Sequence, residues 1–124
     1  MSGIQPKTRR PGMSYEPYDI VVVPFPFTEK KRVKHRPAVI ISSHLFNASH
    51  DHITLAMITS ATISSWISDT EIRDWKTAQL MVPCRIRFKL FTLPKDLIVR
   101  QLGNLSQHDR GVLNETIRTT LIPA

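Results

Sequence analysis

Between Ile20 and Leu102 the apolar residues of this chain come in short β-branched runs or in strict alternation, and only after Ser106 do they recur at helical spacing. With no helix alternating with the strands, a parallel α/β sheet is disfavoured and a small mainly β, curved barrel with one C-terminal helix is expected. Residues 18–25 carry Ile20-Val21-Val22-Val23 and close on Pro24 and Pro26, which suits a strand leaving a sheet. Residues 37–41 read as a second buried strand and 42–51 as a polar connection. Ile53, Leu55 and Met57 alternate with His52, Thr54 and Ala56, giving a third strand that ends at Ile58-Thr59-Ser60. After a Ser/Thr-rich loop carrying Trp66, residues 70–75 predict a short strand. Cys84, Ile86, Phe88 and Leu90 then alternate with Arg85, Arg87 and Lys89, so one face should be core and the other a basic stripe. Residues 97–102 make a last strand, stopped by Gly103. Ser106 offers an N-cap with Asp109 at N3, an acidic variant of the capping box, ahead of Val112, Leu113, Ile117 and Leu121.

At 124 residues the chain has length for one modest core. Residues 1–14 mix Gly, Pro, Ser and basic side chains without apolar periodicity and read as a disordered basic tail, within which Met13 offers an alternative start; residues 15–124 read as the single domain. Seventeen Lys and Arg against ten Asp and Glu give +7 and a pI near 10.1, a balance that fits a polyanion or an acidic protein partner. Residues 1–36 hold eight basic and three acidic side chains, so most of the excess sits in the tail and the first loop. With Cys84 as the sole cysteine, an intrachain disulfide and a cysteine zinc cluster are both excluded, and a reducing cytoplasm is the expected compartment. No apolar run follows Arg9-Arg10 to make a secretory or twin-arginine signal, and no segment has the length of a membrane span.

One short motif carries chemistry. In His35-Arg36-Pro37 the proline disfavours the α region for the residue before it, which holds Arg36 extended at a strand start, beside the basic loop Lys30, Lys31, Arg32 and Lys34. A directed guanidinium next to a cationic loop suits a phosphate; an edge-strand arginine on a solvated surface is the bland alternative. His44, His50 and His52 invite a metal, but no carboxylate or cysteine framework of known spacing accompanies them, so neither metal nor cofactor is expected.

The order of Asp19-Ile20-Val21, Pro24-Phe25-Pro26-Phe27, Arg36-Pro37-Ala38-Val39-Ile40-Ile41-Ser42, Ile58-Thr59-Ser60, Asp74-Trp75 and Leu102-Gly103-Asn104-Leu105-Ser106 resembles the MazF/PemK toxins of type II toxin-antitoxin systems, over residues 18–121. The resemblance implies an SH3-like barrel of the CcdB/PemK type that dimerises and cuts single-stranded RNA at short motifs without a metal, inhibiting translation and growth. It also implies a cognate antitoxin whose acidic, disordered tail lies over the basic face. The family's catalytic arginine and threonine fall on Arg36 and Thr59. Cleavage through the ribose 2′-OH requires stabilised phosphorane charge and two proton transfers. Arg36 supplies charge and a bidentate fork, and Thr59 a hydroxyl, with Ser60 beside it able to do similar work. His35 has a suitable pKa for a proton shuttle, although neighbouring strand residues point to opposite faces. Asp19 is a further candidate around the substrate. Arg85 and Arg87 could track the RNA backbone, and Phe25, Phe27 or Trp66 could stack on unpaired bases.

This chain departs from the family's usual Gly-Asp opening, having Tyr18-Asp19, which puts a bulky ring where the backbone often needs freedom. Cys84 stands where many members have serine. Two other functions fit the same fold. One is a gyrase poison, disfavoured because the chain ends Thr120-Leu121-Ile122-Pro123-Ala124 without a terminal tryptophan. The other is a non-catalytic nucleic-acid-binding barrel. Spacing fixes neither the cleavage motif nor the antitoxin.

Overall fold

A computed structural model describes residues 14–25, 34–62 and 65–124. Six strands form one antiparallel sheet: β1 (Asp19–Phe25), β2 (Lys34–Ile40), β3 (His52–Ser60), β4 (Thr70–Glu71), β5 (Cys84–Pro94) and β6 (Arg100–Asn104). Their order across the sheet is β4-β5-β3-β2-β1-β6. The sheet curls into a half-barrel, with helix α1 (His44–Ser49) between β2 and β3 and helix α2 (Gln107–Thr120) at the C-terminal end. Among the described residues no helix is long and apolar enough to cross a membrane.

Strand alternation builds a core on each face. Ile20, Val39, Ala56, Ile58 and Ile86 point to one side, where Leu105 and Leu113 of the C-terminal segment cover them. Val21, Val23, Ala38, Ile40, Ile53, Leu55, Met57 and Leu93 point to the other and pack with Tyr15 and Ile98. Tyr15 is buried there, so packed structure begins upstream of β1.

Several expectations need correction. Residues 42–51 are not only a connection. Ser43 caps α1 by accepting the Phe46 N–H at 3.2 Å. Asn47 is buried and donates to the carbonyls of Ser42 and Tyr15, so tertiary hydrogen bonds rather than apolar periodicity hold this short helix. The strand expected over 70–75 pairs only at Thr70–Glu71. Beyond it the Arg73 and Asp74 N–H groups turn away from the sheet to the buried Asp109 carboxylate, at 3.0 and 2.8 Å. The capping box at α2 is therefore half built: Ser106 Oγ accepts the Asp109 N–H, while the Asp109 carboxylate serves the 73–74 turn.

Gly103 does not stop β6, which runs on to Asn104. A Cβ there would lie 2.8 Å from Gln79 Cγ and 3.0 Å from the Ala78 backbone, so the glycine permits close approach of the 78–79 segment. The expected alternation in β5 keeps its parity but not its exposure pattern. Met57 pairs with Arg87 and Ala56 with Leu90, so Phe88 and Lys89 form a bulge, Leu90 turns out to solvent, and Arg87 is buried.

The departure at Tyr18 has a structural answer. Tyr18 adopts φ 76°, the left-handed region that disfavours a side chain. Its backbone is fixed there by the Tyr18 N–H donating to Ile40 O at 2.8 Å and by Leu105 N–H donating to Tyr18 O at 3.0 Å. The ring is used as well: its hydroxyl donates to Asn114 Oδ1 at 2.7 Å, and the Arg110 guanidinium lies 5.1 Å from the ring centroid.

Candidate active site

The site follows from strand register. Arg36 sits opposite Val23 on β1. The β2–β3 ladder runs Ile40↔Leu55, Val39↔Ala56, Ala38↔Met57 and ends there; carried on two residues, the same register sets Arg36 level with Thr59 where the two strands part. Thr59 in turn pairs with Arg85, and Arg85 with Glu71 on β4. Directly opposed residues in an antiparallel sheet share a face. Arg36, Thr59, Arg85 and Glu71 therefore form one polar row across the sheet, running out from the core that contains Val23 and Met57. Lys34 is two residues before Arg36 and lies on the same face, opposite the half-buried Phe25.

The cations in this row are in different electrostatic states. Arg87, two residues from Arg85 and on the same face, is buried and forms a bidentate pair with Asp69: Nε to Oδ1 at 3.1 Å and Nη2 to Oδ2 at 2.9 Å. The Asp69 side chain is 4 % exposed; burial pushes its carboxyl up, but the hydrogen bonds from Arg87 and from the Trp66 N–H outweigh that and hold it below the usual range. The hydrogen bond from Asp69 correspondingly raises the Arg87 guanidinium. Arg85 donates from Nη2 to Ala61 O at 2.7 Å, and its Nε lies 3.0 Å from Glu71 Oε2. Arg36 is exposed, and among the described residues no carboxylate forms an ion pair with it. Of the basic stripe read from β5, Arg85 and Arg87 are thus neutralised and Lys89 is left exposed in the bulge, so at the row itself the unpaired positive charge among the described residues is that of Arg36 and Lys34.

Other expected residues lie elsewhere. His35 pairs with Pro24 and faces the opposite side, where it lines a groove of about 640 Å³ with Pro37, Cys84 and Arg100. Burial raises the Cys84 thiol, which donates to Val82 O. Ser60 also faces away from Thr59; its hydroxyl bonds Thr62 Oγ1 at 2.9 Å and accepts the Thr62 N–H. Asp19 stands four residues from Val23 along β1, about 13 Å from the row. It accepts the Glu16 N–H at 2.9 Å, and burial raises its carboxyl. Lys30, Lys31, Arg32 and Phe27 lie outside the described residues, as does the tail to residue 13. His44 is paired with Glu16 at 2.8 Å and His50 is stacked on Phe46; among the described residues no three His, Cys, Asp or Glu are grouped to hold a metal.

Sequence reasoning missed Asp69 and Glu71. Their partners are 18 and 14 residues away on β5, and only the pairing of a two-residue strand brings them together. The available signal was the acidic pair flanking Thr70, set against the two arginines of the following strand.

Comparison with known proteins supplies the context for this geometry. A family model described as PemK-like, MazF-like toxin of type II toxin-antitoxin system matches residues 16–121. Among solved structures, an endoribonuclease in complex with its cognate antitoxin from Mycobacterial species is similar with TM-score 0.69 at 13 % identity, over 90 % of this chain and 97 % of that one. Mycobacterium tuberculosis toxin MazF-mt6 gives 0.63 at 20 %, over 82 % and 93 %, and a further Mtb toxin 0.60 at 21 %, over 69 % and 92 %. At these identities the likeness is one of fold. No curated protein matches.

Proposed function

Because the chain belongs to the PemK-like, MazF-like toxin family of type II toxin-antitoxin systems, we propose that it is a metal-independent, sequence-specific endoribonuclease acting on single-stranded RNA, with Arg36 and Thr59 as its catalytic pair. The observation that carries this reading is the exposed Arg36, level with Thr59 and without a carboxylate partner among the described residues, beside arginines that are already paired. A guanidinium so placed binds a phosphodiester bidentately, and Thr59 Oγ1 donates to a third position on the same phosphate. As the 2′-OH attacks phosphorus and the 5′-oxygen leaves, negative charge grows on the equatorial oxygens that these donors face, so they bind the transition state more strongly than the ground state. His35, across the sheet, is left out of direct contact with that phosphate. On this reading the protein works as a cytoplasmic homodimer, and a cognate antitoxin with an acidic tail occupies the Arg36 face.

The test is incubation of the purified protein with a long RNA in EDTA, mapping new 5′ ends. Wild type is expected to cut at discrete sites, and Arg36→Ala to lose about 10²–10³-fold in rate with an unchanged melting temperature. An Arg36→Ala protein that cuts as fast as wild type overturns the assignment.

A further inference from the structure

Trp66 and Glu71 do not enter the chemistry above, yet both stand beside it. Trp66 is 43 % exposed and Ile67 wholly so, an unusual place for two large apolar side chains. Trp66 is also held firmly. Its N–H donates to the buried Asp69, and one face of its ring rests 4.9 Å from the Arg87 guanidinium that Asp69 fixes. The ring is thereby set over the same sheet face as Arg85 and Thr59. Glu71 closes the polar row, with one carboxylate oxygen at Arg85 and a side chain 69 % exposed. A carboxylate on a face that must bind phosphate weakens that binding electrostatically. Beyond pairing with Arg85, the exposed Glu71 carboxylate can accept a hydrogen bond from a base amino group, a gain that offsets this cost.

We propose that Trp66 and Glu71 form a nucleobase subsite, Trp66 stacking on an unpaired base and Glu71 accepting from its exocyclic amino group, so that the enzyme prefers an amino-bearing base next to the scissile phosphate. This rests on the RNase reading above. Glu71 is three strands from Arg36, about 14 Å along the sheet, a span that one nucleotide bridges once both side chains reach inward. Stacking is tolerant of base identity, whereas a carboxylate acceptor distinguishes the cytosine N4 amino group from the uracil O4 carbonyl.

Two measurements test the subsite with the full chain. In a Trp75→Phe background, which leaves Trp66 as the only tryptophan, uncleavable oligo-dC and oligo-dU are titrated against Trp66 fluorescence. Oligo-dC is expected to bind about tenfold more tightly than oligo-dU, and Glu71→Gln to erase the difference. In parallel, cleavage maps of a long RNA in EDTA should show an amino-bearing base enriched beside the cut in wild type and that enrichment lost among the cuts made by Glu71→Gln; Trp66→Leu should raise KM about tenfold and Trp66→Phe restore it. Equal binding of the two oligonucleotides, or identical maps for wild type and Glu71→Gln, overturns the subsite. Absence of quenching by either oligonucleotide overturns it too. A preserved dC preference in a protein that cuts no RNA overturns the RNase reading and leaves the subsite standing.

Discussion

Replacing Tyr18 by alanine and by glycine should reverse the usual order of those two residues. At most positions glycine is the less stable of the pair by about 0.5–1 kcal/mol, because the unfolded chain gains freedom. Tyr18 holds φ 76°, where a Cβ costs roughly 1–2 kcal/mol. Both variants lose the hydroxyl bond to Asn114, about 1 kcal/mol, and the Arg110 contact, about 0.5–1 kcal/mol. Both also lose a half-buried ring packed on the Ile20–Leu113 core, about 1–1.5 kcal/mol. Tyr18→Ala retains the strain and should cost about 3 kcal/mol, which for 124 residues is a fall of about 12 °C in Tm. Tyr18→Gly loses the same contacts but sheds the strain, and after the unfolded-state penalty should melt about 2–4 °C above Tyr18→Ala. Tyr18→Phe isolates the hydroxyl and should lower Tm by about 4 °C, an effect not additive with Asn114→Ala. Thermal melts followed by circular dichroism, with urea titrations checking that the m-value is constant, measure all of these. If Tyr18→Ala equals or exceeds Tyr18→Gly in stability, the left-handed backbone at Tyr18 is not a source of strain and the reasoning fails.

Further outcomes follow from other contacts. Gly103→Ala forces a methyl against the Ala78 backbone and should cost about 1–3 kcal/mol by urea unfolding. Because the Asp69 carboxyl is depressed in the fold, its contribution is full above the ordinary carboxylate range and is lost as pH falls through the depressed value. Emission from Trp66 in a Trp75→Phe protein should therefore shift to the red reversibly only below the ordinary carboxylate range, and a spectrum unchanged down to global acid unfolding contradicts the coupling. Thr59→Val keeps the shape of the side chain and removes its hydroxyl; kcat should fall about 10–100-fold with little change in Tm, and an unaltered kcat removes Thr59 from the mechanism.

Much of the sheet could be read from residue patterns because β1, β2 and β3 pair largely in sequence order and each buries an alternating face. Arg36 was legible for a local reason, the proline after it. The separation of His35 from Arg36 was legible too, since a strand sends neighbours to opposite faces. What could not be read was the charge state of the site. Arg85 and Arg87 look alike and free in the sequence, yet each meets a carboxylate delivered by the 69–71 segment, and that pairing depends on where a two-residue strand docks. Helix α1 escaped for a related reason, its stability residing in Asn47 and Ser43 rather than in any apolar period. The role of Gly103 was misread because a glycine that lets a neighbouring segment approach looks the same in a sequence as one that breaks a strand.

The bulge at Phe88 and Lys89 bears on solubility. Strand β4 borders β5 only along Arg85 and Ile86, so the β-prone stretch Phe88-Lys89-Leu90-Phe91-Thr92-Leu93 continues past the end of its outer neighbour. Stretches of that composition template edge-to-edge association when they lie flat and uncharged. Here two inserted residues interrupt the ladder and put the segment's one charge, the exposed Lys89, within the bulge, where a bulge bends and twists a strand. The distortion that spoiled a regular ladder thus serves as a gatekeeper, and straightening β5 or neutralising Lys89 to gain pairing energy would leave that edge more prone to associate with another chain.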